Sequence, residues 1–204
     1  MFLTKKEKIL YIFGPVVYSF VSGATNPTVR VWFASVIDPT IVAIANLIEL
    51  LLAAAVNWSF TREQIQELYR RLLKWIIIMD CTLYIMISIT GLSYPELRYL
   101  GFALTNAVST CIWFMILRNA VDRILTDGDQ RTAFEGFERT ANLIAGFCGG
   151  LIAIAISSRD IEVVQYCIYA ECIANTIMGA ADWYIFKKLN KKYEGRQSDG
   201  NCCC

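Results

Sequence analysis

The feature that most constrains this chain is a series of six apolar runs, each close to the length of one membrane crossing. The runs are Ile9–Thr25, Thr40–Trp58, Trp75–Leu92, Tyr99–Leu117, Ala141–Ser157 and Val163–Phe186. A helix of roughly 20 apolar residues crosses a bilayer core of about 30 Å. A water-soluble protein of 204 residues is too small to bury six helices that are apolar on all sides. The sequence therefore predicts an all-α, polytopic membrane protein with six transmembrane helices in a single bundle.

Composition agrees with this interpretation and narrows the chemistry. Hydrophobic residues make up 56% of the chain and charged residues 18%, whereas soluble domains average about 45–50% and about 25%. The net charge of +1 offers no basic surface, so nucleic acid is not an expected partner. The chain has no histidine, which excludes Ser-His triads, Cys-His dyads and histidine-ligated metals.

The distribution of Lys and Arg predicts the orientation in the membrane. If both termini share one side, that side carries 16 basic residues and the other side carries Arg30, Arg98 and Arg159. The 16 are Lys5, Lys6, Lys8, Arg62, Arg70, Arg71, Lys74, Arg118, Arg123, Arg131, Arg139, Lys187, Lys188, Lys191, Lys192 and Arg196. Basic loops stay in the cytoplasm. Both termini are therefore expected to be cytoplasmic, in a multi-pass protein of the cell or plasma membrane.

Two units are expected along the chain: a transmembrane domain at 1–186 and a basic cytoplasmic tail at 187–204. The tail ends in Cys202, Cys203 and Cys204. A CaaX box would require cysteine at position 201, which is asparagine, but a terminal cysteine pair can still resemble a lipidation site. Lipidation of these cysteines and an incidental chain end both remain open. Within the first unit, Asn26-Pro27 predicts a helix stop and turn.

Polar residues recur at helical spacing within the runs and mark a candidate pathway. An ionisable side chain at membrane depth costs at least ~2.5–3.5 kcal/mol on insertion scales, so it persists where a cavity or partner compensates. The stripes are expected to converge on a polar interior. The candidate substrate or ion pathway residues are Asn46, Glu49, Asp80, Tyr84, Asn106, Arg118, Asp122, Glu171, Asn175 and Asp182.

Each charged candidate also has a structural interpretation. Asp80 and Asp182 lie near cytoplasmic span ends, where headgroup water could solvate them. Arg118 and Asp122, four residues apart, could form a surface ion pair at a helix end. A buried pairing of Glu49 or Glu171 with Arg30 or Arg118 would satisfy either carboxylate without transport.

Span five carries a face of small residues around Gly146-Phe-Cys-Gly149-Gly150. Small residues allow helix backbones to approach closely, so Gly146, Gly149 and Gly150 are predicted to pack against another helix, within the chain or in a second copy. The alternative is a passage lined by backbone.

Catalytic, metal and cofactor sites are not predicted. The chain has no CxxC pair for zinc or an iron–sulfur cluster. Asp127-Gly-Asp-Gln-Arg131 superficially resembles the Asp-Gly-x-x-Ala-Arg stretch of phosphatidyl-type transferases. The alanine is missing and no second carboxylate cluster follows, so a membrane-embedded transferase is the least favoured interpretation.

The stretch Arg131-Thr-Ala-Phe-Glu-Gly136, followed by Ala141, Gly146 and Gly149-Gly150, resembles the passage from helix four into helix five of the major facilitator superfamily. Six spans with both termini inside are similar to one half of such a transporter. The loop after span two lacks the family's Gly and Asp, and family members usually carry twelve helices. The resemblance therefore implies transport by a homodimer or with a partner membrane protein.

Two functions from different classes follow. The first is transport of a small molecule or ion through the bilayer, with Glu49 and Glu171 as charge or proton handles. The second is a non-transporting membrane partner: a substrate-capture subunit, an immunity protein or a scaffold.

Overall fold

The chain folds as a bundle of long helices in a computed structural model. The structure describes residues 3–90, 93–105, 107–108, 111–125, 128–156 and 160–200, with side chains for these except 90 and 193–200. Every regular element in these ranges is helical. The helices are α1 Lys5–Val36, α2 Pro39–Ser59, α3 Glu63–Thr90, α4 Pro95–Thr105, α5 Cys111–Asp122, α6 Gly128–Ile156 and α7 Ile161–Gly200.

Local sequence signals set the helix starts. Thr4 caps α1 in a capping box with Glu7, whose side chain accepts from the Thr4 backbone N–H at 2.8 Å. Asp38 caps α2 by accepting from Thr40 N, and Pro39 supplies a preset φ at the first position. These caps satisfy N–H groups that the first helical turn leaves without partners.

α1 is the central helix of the bundle. It packs along α6 and α7, while α3 and α5 pack on α7 and α2 packs on α4. The larger apolar core occupies one end of the bundle. It includes Leu73, Trp113 and Ile185, none of which is more than 1% exposed.

The outside of the bundle is strongly apolar. Four helices, α1, α2, residues 63–89 of α3 and α6, are long and apolar enough to cross a membrane. On α6, Leu143 is 74% exposed and Ile154 77% exposed. In α2, only Ala45 and Val56 are buried. Contiguous apolar surface of this extent is unstable in water and is typical of a membrane protein.

Two predictions about helix boundaries need correction. The predicted stop at Asn26-Pro27 is wrong, because α1 continues through Pro15 and Pro27 to Val36. Proline is tolerated within membrane helices where neighbouring helices and Ser or Thr side chains compensate for the missing N–H. The fourth apolar run is not one regular α-helix: it corresponds to α4 and α5, with a π-helical turn at 107–108 between them.

Candidate functional site

A cavity of about 530 Å³ lies within the single chain, between α1, α2, α3, α4 and α7. Its walls combine aromatic rings, amides and charged side chains. The lining residues are Tyr18, Asn26, Val29, Arg30, Phe33, Ala34, Val42, Asn46, Glu49, Tyr84, Tyr99, Phe102, Ala103 and Glu171. Four of the predicted pathway residues, Asn46, Glu49, Tyr84 and Glu171, thus meet at one place.

The cavity occupies one half of the bundle. Its lining comes from the later part of α1 and α3 and the earlier part of α2, α4 and α7. This is the half that contains the α1–α2 turn and the start of α4. The opposite half is filled by the large apolar core. The cavity is therefore closed at one end of the bundle by packed side chains.

Glu171 is the most buried carboxylate of the cavity wall, at 6% exposure. Thr25 Oγ1 lies 2.6 Å from Glu171 Oε1 and 2.8 Å from the Val21 carbonyl oxygen. A hydroxyl has one hydrogen to donate. The Thr25 hydroxyl can therefore donate to Glu171 or to the Val21 carbonyl, but not fully to both at once.

Glu49 and Asn46 lie on the α2 wall of the same cavity. Tyr99 of α4 donates its hydroxyl to Asn46 Oδ1 at 3.1 Å, which ties the two helices together across the cavity. Arg30, from α1, also lines the cavity and interacts electrostatically with Glu171. The cavity wall thus carries charges of both signs.

Arg98, in the first turn of α4, is a functional candidate that the sequence did not reveal. Its side chain is 2% exposed, and none of its guanidinium nitrogens has a hydrogen-bond partner among the described residues. The guanidinium carbon lies 5.4 Å from the Phe33 ring centre and 5.0 Å from that of Phe102. Both rings line the cavity. Arg98 and Phe102 are four residues apart on one helix face, which is the only signal that the sequence offered.

Asp80 and Ser88, which lie on one face of α3, form hydrogen bonds with residues of α7. Asp80 is fully buried and accepts a hydrogen bond from Asn175 Nδ2 at 3.0 Å. Tyr84, on the same face, lies 3.4 Å from the Tyr18 hydroxyl across the bundle. Asp80 and Asn175 therefore belong to a helix–helix contact, and they do not line the cavity.

Asp182 lies away from the cavity, in the half filled by the apolar core. It is 1% exposed, and its two carboxylate oxygens face the Trp113 indole without a hydrogen bond of good geometry. α1 approaches closely here: a Cβ at Gly14 would lie 3.2 Å from Asp182 Oδ1. Headgroup water does not reach this carboxylate.

Arg118 and Asp122 form ion pairs with α6 and not with each other, which corrects the predicted i,i+4 pair. Arg118 binds Glu135 at 2.9 Å, and Arg131 binds Asp122 at 3.0 Å and Glu135 at 3.1 Å. The two α5 residues point to α6 because its first turns lie alongside. The cluster borders a separate cavity of about 160 Å³.

Burial and hydrogen bonding act in opposite directions within this ionic cluster. Hydrogen bonds from Arg131 and Arg118 lower the pKa of Glu135. Burial raises the pKa of Asp122 despite the nearby arginines, and burial likewise raises the pKa of Glu138. The cluster is therefore an ionic contact between α5 and α6, separate from the larger cavity.

The small-residue face of α6 packs on α1. A Cβ at Gly149 would overlap the Phe20 carbonyl oxygen, and one at Gly146 would lie 3.8 Å from the Ser19 carbonyl oxygen. A Cβ at Gly150 would meet no atom within 4 Å, so Gly150 does not pack closely against another described helix of the same chain, and its packing against a second copy stays a prediction. The contact is centred on Ala145, Gly149 and Ala153, which are the buried positions. Gly150 is one residue further along the helix and therefore lies on a different face of α6.

The remaining predicted residues, Asn106 and Cys202–Cys204, lie outside the described residues. Within the described part of the chain, no group of three or more Cys, Asp or Glu side chains is arranged to hold a metal ion. In comparisons with known proteins, no family model, curated protein or solved structure matches this chain. The likeness to half of a major facilitator transporter therefore stays a prediction.

Proposed function

We propose that this chain is an integral membrane protein that moves a small polar solute across a bilayer through the cavity of a single copy. The observation that carries the proposal is the 530 Å³ cavity itself, lined by Arg30, Glu49 and Glu171 inside a bundle whose outer surface is apolar. Charged groups at membrane depth are retained where they serve a solute or ion pathway. A second copy is not needed to complete the cavity walls.

The proposed membrane arrangement has six spans with both termini in the cytoplasm. Four spans are α1, α2, α3 and α6. α4 and α5 together make another, and the first part of α7 makes the sixth, where buried Glu171, Asn175 and Asp182 lower the hydropathy of a helix that is otherwise apolar. The excess of Lys and Arg on the side of the termini supports this orientation.

This orientation assigns the cavity to the outer half of the bundle. The α1–α2 turn and the start of α4 would lie outside, and the packed apolar core would close the cytoplasmic half. In the proposed state, the apolar core closes the cavity towards the cytoplasm. A carrier requires a second state in which this relation is reversed, and solute binding shifts the populations of the two states.

Glu171 is the residue proposed to bind and release a proton as the carrier changes between these two states. It is buried in the cavity wall, accepts a hydrogen bond from Thr25 and shares the cavity with Arg30. Loss of the proton would leave a carboxylate next to two arginine charges and a hydroxyl. Exchange between these two forms is a means to couple solute movement to proton movement.

The proposal is tested by reconstitution in liposomes with a matched pair of alanine variants. Ala34 is exposed to the cavity, so Ala34→Trp fills part of it. Ala54, on the exposed surface of α2, serves as the control Ala54→Trp. Liposomes with the wild-type protein are incubated with a mixture of small metabolites, and the contents are analysed by mass spectrometry.

Wild-type and Ala54→Trp liposomes are expected to accumulate the same subset of solutes, and Ala34→Trp liposomes none above empty vesicles. Glu171→Gln is expected to fold and to lose the dependence of uptake on a pH gradient. If wild-type liposomes accumulate nothing, or Ala34→Trp transports normally, the proposal is wrong. Binding in detergent without accumulation would instead favour a substrate-capture subunit.

A further inference from the structure

Arg98 is a buried cation next to the cavity whose guanidinium forms no hydrogen bond to any described residue. An arginine guanidinium has five N–H donors in a planar fork and stays charged in proteins. None of the nitrogens has a hydrogen-bond partner among the described residues, although the side chain is 98% buried. Buried charges are normally paired, so this guanidinium is suited to bind an anion.

The surroundings of Arg98 compensate its charge only in part. The rings of Phe33 and Phe102 lie within cation–π distance, an interaction worth about 2 kcal/mol when desolvated. Glu171 is close enough to interact electrostatically but makes no hydrogen bond to Arg98.

We propose that Arg98 binds the oxyanion group, a carboxylate or a phosphate, of the solute that occupies the cavity. The planar fork of arginine matches both groups through two parallel hydrogen bonds. Phe33 and Phe102 lie within cation–π distance of the guanidinium and also line the cavity, so Arg98 lies next to the cavity wall.

The same walls specify the rest of the solute. Tyr18, Tyr84 and Tyr99 join the two phenylalanines around the cavity, and aromatic walls favour a flat apolar body with a few polar contacts. The solute class is therefore a small organic anion with an apolar or aromatic body. This inference rests on the proposed function for its transport role, but binding to Arg98 can be measured without transport.

The test uses the purified full-length chain and three probes with the same ring: benzoate, phenyl phosphate and uncharged benzyl alcohol. Binding is measured by titration calorimetry and by the shift in melting temperature. Benzoate, phenyl phosphate or both are expected to bind, and benzyl alcohol is expected to bind more weakly. Binding of one anion alone tells a carboxylate site from a phosphate site.

Two substitutions of Arg98 and one control complete the design. Arg98→Gln is expected to weaken anion binding about tenfold or more, because hydrogen bonds to a charged group are lost. Arg98→Lys keeps the charge without the fork and is expected to bind measurably but more weakly than the wild type. Arg71→Gln removes an exposed arginine on α3, whose side chain is 76% exposed, and is expected to bind as the wild type does.

Several results would overturn the inference. Equal binding of all three probes by the wild type would do so, as would wild-type affinity in a folded Arg98→Gln variant. If Arg98→Gln does not fold, probe selectivity of the wild type and weakened binding by Arg98→Lys decide the question. Solute accumulation in liposomes that does not depend on Arg98 refutes the anion site alone, whereas Arg98-dependent binding without any accumulation refutes transport alone.

Discussion

At the residue scale, the same chemical type takes different roles according to its neighbours. Glu171 and Asp182 are both buried acids on α7. Glu171 has a hydroxyl partner and two arginine charges nearby, whereas neither carboxylate oxygen of Asp182 has a hydrogen-bond partner among the described residues. Glu171 lines the cavity and Asp182 does not.

Glu7 provides a residue-scale prediction about pH. Burial raises the pKa of Glu7, but hydrogen bonds from Thr4 and Lys192 and the Lys192 charge outweigh it, so the pKa is lowered from its ordinary 4.5. A carboxyl whose pKa is lower in the folded than in the unfolded protein stabilises the fold in its charged form. This contribution is complete above the unfolded-state pKa and is lost as the pH falls through the folded-state pKa. Glu7→Gln should lower the free energy of unfolding by about 1–2 kcal/mol at neutral pH.

Melting temperatures of the purified protein across a pH series measure this effect. The difference between wild type and Glu7→Gln should shrink as the pH falls below 4.5. Glu63→Gln is the control, since Glu63 occupies the first turn of α3 and is exposed. A difference that stays constant into acid would show that the Glu7 carboxylate is not the stabilising group.

At the scale of helices, contact between α1 and α6 depends on backbone proximity. The buried line Ala145, Gly149 and Ala153 follows a four-residue repeat, the spacing that places positions on one helix face. Large side chains on the opposite face, such as Leu143 and Phe147, are exposed. α6 therefore presents small residues to α1 and large apolar residues to the outside.

Substitution at two adjacent glycines tests this geometry. Gly149→Ala should destabilise the protein by about 1–3 kcal/mol, because the new methyl group overlaps the Phe20 carbonyl oxygen. Gly150→Ala, one residue further, should be neutral or slightly stabilising, because its Cβ meets nothing and alanine favours helix. Thermal unfolding in detergent distinguishes the two. Equal effects of both substitutions would contradict the described crossing.

At the scale of the whole molecule, opposite ends of the bundle differ in character. One end contains the cavity, and the other contains the large apolar core and the ionic cluster of α5 and α6. In the proposed orientation, the end that contains the cavity faces the outside of the cell, and the end that contains the ionic contacts faces the cytoplasm.

Topology reporters test that orientation. Fusions at Asp129, which follows α5, and after Lys192 in α7 should report a cytoplasmic position, because basic residues flank both sites. A fusion at Glu96, at the start of α4, should report the outside. A cytoplasmic signal at Glu96 would refute the span assignment and with it the outward position of the cavity.

The sequence alone was enough to predict long apolar helices and the polar stripes, because hydropathy and helical periodicity are local properties of a chain. Asn46, Glu49 and Glu171 were recognised as unusual at membrane depth without any knowledge of their neighbours. Tertiary structure decided which of them share a cavity, since Asp80 and Asp182 follow the same rule yet lie in packed contacts. It also placed Arg98 close to two aromatic rings, carried α1 through Pro27, and centred the α6 contact on Gly149 instead of Gly150. The physical reason is common to all four: the energy of a buried charge, a proline or a glycine depends on atoms that other helices bring to it, and no local pattern specifies those atoms.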